Sequence, residues 1–147
     1  MLKAGDHAPD FTLPDQEGVE VSLSALLAQG ELVLYFYPAD FTPVCTAEAC
    51  AFRDSYDGVA ELGVQVVGVS PQSVSSHARF AQQHRLPFPI LSDARKKVIR
   101  AYGVDGPFGI GVRRATYLID RTSVIRKRIV ADFSATSHLD ILTAVTR

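Results

Sequence analysis

A chain of 147 residues, 47% hydrophobic and 21% charged, is long enough to bury one core and reads as a single soluble domain over 1–147. Its formal net charge of −1 gives no electrostatic footprint for nucleic acid or for a membrane surface. No stretch is long and apolar enough to span a bilayer, and the opening Met1-Leu2-Lys3-Ala4-Gly5-Asp6 lacks a signal-peptide core, so the cytoplasm is the expected compartment.

The elements follow in chain order. Short strands are predicted over 11–13 and 19–23, around the turn Asp15-Gln16-Glu17-Gly18. A short helix over 24–29 ends at Gly30. The run ELVLYFY over 31–37 is rich in branched and aromatic residues and reads as a buried strand, which Pro38 ends because it has no N–H for a sheet ladder. A helix over 43–62 follows, closed by Gly63. VQVVGV over 64–69 is a second buried strand, 73–84 a helix, and 90–91 a brief strand after Pro87 and Pro89. Asp93 is placed to cap a helix over 94–102, stopped by Gly103. Beyond a glycine-rich loop over 106–111, strands over 115–119 and 124–130 form a hairpin around Asp120-Arg121-Thr122-Ser123, and Ser137 caps a final helix. Strands alternating with helices, then a hairpin and a terminal helix, predict an α/β fold with a mixed sheet covered on both faces. That pattern is compatible with a thioredoxin-like fold carrying an N-terminal β-hairpin extension.

Several features are assigned to structure alone. Arg126-Lys127-Arg128 sits among alternating apolar residues and reads as a solvated strand. Phe41, Phe80 and Phe88 are expected in the core, and His7, His77, His84 and His138 at the surface or in packing, without zinc-ligand spacing. Gly109-Ile110-Gly111 has no phosphate-binding context.

The chemistry points to Cys45. Thr42 is a suitable N-cap and Pro43 suits the first helical position, which makes Cys45 the third residue of its helix. There the unpaired backbone N–H groups and the macrodipole favour a thiolate. Cys50 lies five residues on, about 140° around the helix and about 7.5 Å along it, so the Cα atoms are roughly 8–9 Å apart. An undistorted disulfide cannot span that separation. The two sulfurs can bond only if the first turns unwind, which marks a labile bond and not a permanent staple. Four residues intervene between the cysteines, where the thioredoxin Cys-x-x-Cys has two.

Pro38-x-x-x-Thr42-x-x-Cys45 resembles the peroxidatic motif of the peroxiredoxin family, and the run from Phe41 to Cys50 is similar to its Q-type, or bacterioferritin comigratory protein, branch. The likeness begins at Gly5-Asp6-His7-Ala8-Pro9-Asp10-Phe11 and continues through Val67-Gly68-Val69-Ser70, Leu86 to Asp93 and Arg114-Ala115-Thr116-Tyr117-Leu118-Ile119-Asp120. It implies a peroxidase acting on hydrogen peroxide and organic hydroperoxides, with no metal, flavin or haem. By the same resemblance, Cys45 is the peroxidatic nucleophile and Cys50 the resolving thiol. Thr42 orients the peroxide, Pro38 shields the sulfur, and Arg114 stabilises charge with Glu48 steadying it. Adjacent Arg113 competes for the arginine's place, although the spacing to Asp120 favours Arg114. Thioredoxin or a similar dithiol protein is the implied reductant, and a monomer is expected over a dimer. The loop over 106–114 departs from the branch's pattern, which bears on substrate size and partner contact. Two rival readings are a thiol–disulfide oxidoreductase acting on protein partners and a non-enzymatic binding protein on the same scaffold.

Overall fold

The computed structural model describes residues 1–130, so the helix expected after Ser137, and His138 with it, lie outside the described residues. Strands β1 (Thr12–Pro14) and β2 (Glu20–Ser22) form the expected antiparallel hairpin, its turn held by Asp15 Oδ1, which accepts from the Glu17 and Val19 N–H groups. Helix α1 (Leu23–Gln29) follows at once, capped by the Ser22 hydroxyl. Then come β3 (Glu31–Phe36), α2 (Pro43–Glu61), β4 (Val64–Ser70), α3 (Val74–His84), β5 (Ile90–Ser92), α4 (Lys97–Ala101), β6 (Ala115–Ile119) and β7 (Ile125–Val130).

The main sheet has the order β5-β4-β3-β6-β7. Its first three strands run parallel, while β6 and β7 are antiparallel to their neighbours. This is a mixed sheet of the thioredoxin-like kind. Strand β3 sits at its centre because both of its faces are apolar. Leu32, Leu34 and Phe36 belong to one core with α1, α4 and the N-terminal segment, while Val33, Tyr35 and Tyr37 belong to another with α2 and α3. The alternation follows from the two-residue period of a strand, and burial on both sides explains why the sequence reads as one apolar run.

Helix α2 lies on the second core through Cys45, Ala49, Phe52 and Val59, a spacing that keeps them on one face. Phe52 stacks on Tyr35 with ring centroids 4.9 Å apart, and Tyr35 stacks in turn on Tyr37 at 5.4 Å. Removing such a ring costs about 3–5 kcal/mol, so the body of α2 is firmly anchored. Gly63 stops the helix at a φ of +75°, a left-handed turn that side chains resist.

Two expectations need correction. The helix predicted over 94–102 spans only Lys97–Ala101, because Lys96 takes a left-handed conformation (φ 57°) that delays its start. Asp93 still serves it: its carboxylate accepts from the N–H groups of Lys97 at 3.1 Å and Ile99 at 2.8 Å. Phe80 and Phe88 are buried as expected, but Phe41 is 44% exposed. Its φ of 65° turns the chain sharply before α2 and leaves the ring resting edge-on against Phe80 at 5.2 Å.

Candidate active site

The start of α2 has the predicted layout. Thr42 takes the extended N-cap conformation, Pro43 is the first helical residue and Cys45 the third. Thr42 differs in one respect, since its hydroxyl does not cap the helix. It donates instead to the Ala39 carbonyl at 3.0 Å, so Oγ1 keeps only its lone pairs for another partner.

Cys45 is 1% exposed, and Arg114 Nη2 donates to its Sγ at 2.9 Å. The sheet register makes this contact. Ala115 pairs with Phe36, so the residue before β6 and the loop after β3 emerge at the same edge, where α2 begins. The side chain of Arg113 is exposed, and its N–H donates to the Val104 carbonyl at 2.7 Å. Arg114 is thus the arginine at the sulfur. Its Nη1 lies 3.5 Å from Glu48 Oε1, one helical turn beyond Cys45. Burial pushes the Glu48 carboxyl up to about 8, against the opposing pull of Arg114. Burial thus favours the neutral acid at Glu48, while Arg114 Nη2 faces the sulfur.

Pro38 and Arg114 line a cleft of about 710 Å³ with Val44, Pro107, Ile110 and Val112. Its walls are mostly apolar. The glycine-rich loop forms its outer side, where Phe108 is fully exposed. A Cβ on Gly106 would fall 2.0 Å from the Ile110 carbonyl oxygen, so this loop closes only with glycine there.

Cys50 is half-buried and, like Cys45, a free thiol. Both lie on one continuous helix, which keeps the sulfurs apart. Cys50 Sγ sits 3.8 Å from His84 Nδ1 at the end of α3. A second histidine, His77, is wholly buried behind the loop that carries Pro38 and Thr42. Its Nδ1 is 2.7 Å from Asp40 Oδ2 and its Nε2 is 3.0 Å from the Leu91 carbonyl. Asp40 also accepts from the Tyr37 hydroxyl at 2.6 Å and the Ser76 hydroxyl at 2.7 Å. Burial alone would raise the Asp40 carboxyl, but its bonds from His77, Tyr37 and Ser76, with the charge of His77, hold it below the ordinary range. Sequence reasoning treated these histidines one at a time. The usable signal was the 77, 80, 81, 84 spacing, which puts His77, Phe80, Ala81 and His84 on the inner face of α3.

The AhpC/TSA family model matches residues 4–128. The chain belongs to that family, among its Q-type peroxiredoxins. It is 45% identical over 137 residues to the chloroplastic peroxiredoxin Q of Sedum lineare, covering 92% of this chain and 73% of that one. Other chloroplastic peroxiredoxins Q are matched over 64–65% of their length, so the chain spans about two-thirds of most of these curated relatives. Among solved structures, peroxidoxin BcpB of Mycobacterium tuberculosis superposes with a TM-score of 0.92 at 42% identity, covering 99% of this chain and 96% of that one. The bacterioferritin comigratory protein of Xanthomonas campestris, described for its alkyl peroxide reduction activity, gives 0.86 at 29% identity over 92% and 90% of the two chains.

Proposed function

We propose that this chain is a thiol-dependent peroxidase in which Cys45 reduces the hydroperoxide and Cys50 resolves the product. The observation that carries the proposal is the buried guanidinium of Arg114, 2.9 Å from the Cys45 sulfur. A fixed positive donor at that distance offers the sulfur a charge-assisted hydrogen bond and stands ready for charge developing on a departing oxygen. In the first step the Cys45 thiolate attacks one peroxide oxygen, the O–O bond breaks, and the other oxygen leaves with a proton as water or alcohol. Cys45 becomes a sulfenic acid. Thr42 Oγ1, its own proton committed to Ala39, accepts the hydrogen of the incoming peroxide. Pro38, which lines the cleft beside Arg114, screens the sulfur from solvent. Cys50 then attacks the Cys45 sulfur, the S–O bond breaks, and water leaves. The disulfide so formed requires the first turns of α2 to open.

Thioredoxin or a similar dithiol protein returns both thiols, and the cytoplasm is the proposed compartment because it keeps such thiols reduced. The apolar lining of the cleft favours hydroperoxides that carry a hydrocarbon group.

Rapid mixing of reduced protein with one equivalent of hydroperoxide tests the reading. The wild type consumes it and loses the mass of two hydrogens. Cys50→Ser consumes it at the same rate and halts as a sulfenic acid, and Cys45→Ser consumes none. A reduced wild type that leaves hydroperoxide untouched while exchanging disulfides with protein partners refutes the peroxidase in favour of an oxidoreductase.

A further inference from the structure

We propose that His84 is the proton acceptor for the Cys50 thiol in the resolving step, a role that rests on the peroxidase reading of the two cysteines. The two cysteines share a helix but not an environment. Cys45 has the helix N-terminus and Arg114, whereas Cys50 is the eighth residue of α2, beyond the turn over which the N-terminal field acts. Attack on a sulfenic acid still requires a thiolate, so the second sulfur needs its own means of losing a proton. His84 Nδ1 is the ring nitrogen that lies against it, at 3.8 Å.

The surroundings hold the imidazole for this task. The Phe80 ring meets it edge-on at 5.0 Å and 65°, and Arg53 Nη1 donates to the His84 carbonyl at 2.7 Å. Arg53 lies beyond Cys50 in α2, so unwinding the turns from Pro43 to Cys50 leaves this latch between α2 and α3 closed. His84 therefore stays in place while the strand of chain bearing Cys50 is released beside it. Both Cys50 and His84 are half-buried, which lets the accepted proton pass to water.

Few other charges face the pair. Arg53 from α2, itself bonded to Asp54 at 3.0 Å, interacts with a charged Cys50, as does the Tyr35 phenol from β3. Arg85 follows directly in the chain. The arginines keep their charge throughout the working range, and burial holds the Tyr35 phenol neutral there, so they set the size of the effect and give it no step with pH. The chemistry balances without any further reagent. The Cys50 S–H bond breaks with its proton passing to Nδ1, the S–S bond forms as the Cys45 S–O bond breaks, and the departing hydroxide regains a proton to leave as water.

The test is a rapid-quench time course read by intact mass, with hydrogen peroxide and wild type, His84→Asn and His84→Gly between pH 5.5 and 9. Sulfenic acid should appear on Cys45 at the wild-type rate in all three, which also reports that each is folded. Its conversion to disulfide should be at least tenfold slower in both variants at pH 7. In the wild type that conversion should rise with pH to a plateau, and in the variants it should rise without one. Added imidazole should restore His84→Gly but not His84→Asn. Resolution at the wild-type rate overturns the proposal, and so does a slowing that keeps the wild-type pH profile and ignores imidazole, since packing alone explains that result. If His84→Gly loses the first step, His84→Gln decides by rate and pH profile. A wild type that forms no sulfenic acid refutes the peroxidase reading and this role together.

Discussion

Glu48 and Arg114 face one another across 3.5 Å in a buried position, where burial favours the neutral form of the carboxyl. One guanidinium thus stands between two groups that could each be anionic, the carboxyl and the Cys45 sulfur. Burial, by favouring the neutral carboxyl, leaves the Cys45 sulfur less competition for that guanidinium.

The sign of the pH dependence follows. The folded-state Glu48 value of about 8 lies above the ordinary 4.5, so the stability tied to the neutral acid is complete below about pH 4.5 and is lost as pH rises through 8. Urea unfolding of the wild type and Glu48→Gln from pH 4.5 to 8.5 should show the wild type losing on the order of a few kcal/mol relative to the variant across that range. Parallel curves contradict a neutral Glu48.

Arg114 and Arg113 offer an internal control. Arg114→Ala removes the donor at 2.9 Å from Cys45 and should slow the first reaction with peroxide about 100-fold or more, as loss of one oriented donor does elsewhere. Arg113→Ala should stay within about threefold of wild type, because that side chain is exposed. Stopped-flow peroxide consumption by the two variants decides it, and equal losses remove Arg114 from its special place.

Asp40 and His77 are tested through acid. His77 lies between the Asp40 carboxylate at Nδ1 and the Leu91 carbonyl at Nε2. Because the Asp40 carboxyl lies below its ordinary range, its contribution is present above about pH 4 and is lost as pH falls through the lowered folded value. Asp40→Asn should cost about 3–5 kcal/mol at pH 7 by urea unfolding, with the gap to wild type narrowing towards pH 2. A gap that stays constant with pH shows that the carboxylate's charge is not what holds the loop.

Much of this was legible in the sequence, and the misses have two causes, long-range packing and left-handed backbone turns. The apolar run at 31–37, the glycine stops and the Thr-Pro helix start placed Cys45 correctly because each is a local signal with a local reason. The choice of Arg114 followed from its spacing to Asp120 and is seen again in the register of β6 against β3. The Asp40–His77 pair and the His84–Cys50 contact join residues 37 and 34 apart, and only the placing of α3 beside α2 and the loop before it brings them together. The Thr42 hydroxyl was misassigned because a capping residue type can equally bond backward, here to Ala39, once a left-handed Phe41 bends the chain. A helix-propensity reading places Ala94 to Lys96 in α4 and cannot foresee the left-handed Lys96.

The outer strand β7 carries Arg126, Lys127 and Arg128 in succession, with Arg126 paired to Glu31 and Arg128 bonded to the Leu2 carbonyl. A second sheet approaching that margin would have to bring its own backbone past three cations, two of them already tethered. The opposite margin, β5, is only three residues long. Among the described residues neither rim makes a good template for templated growth, so the composition of these borders guards so apolar a centre against fibril-like stacking.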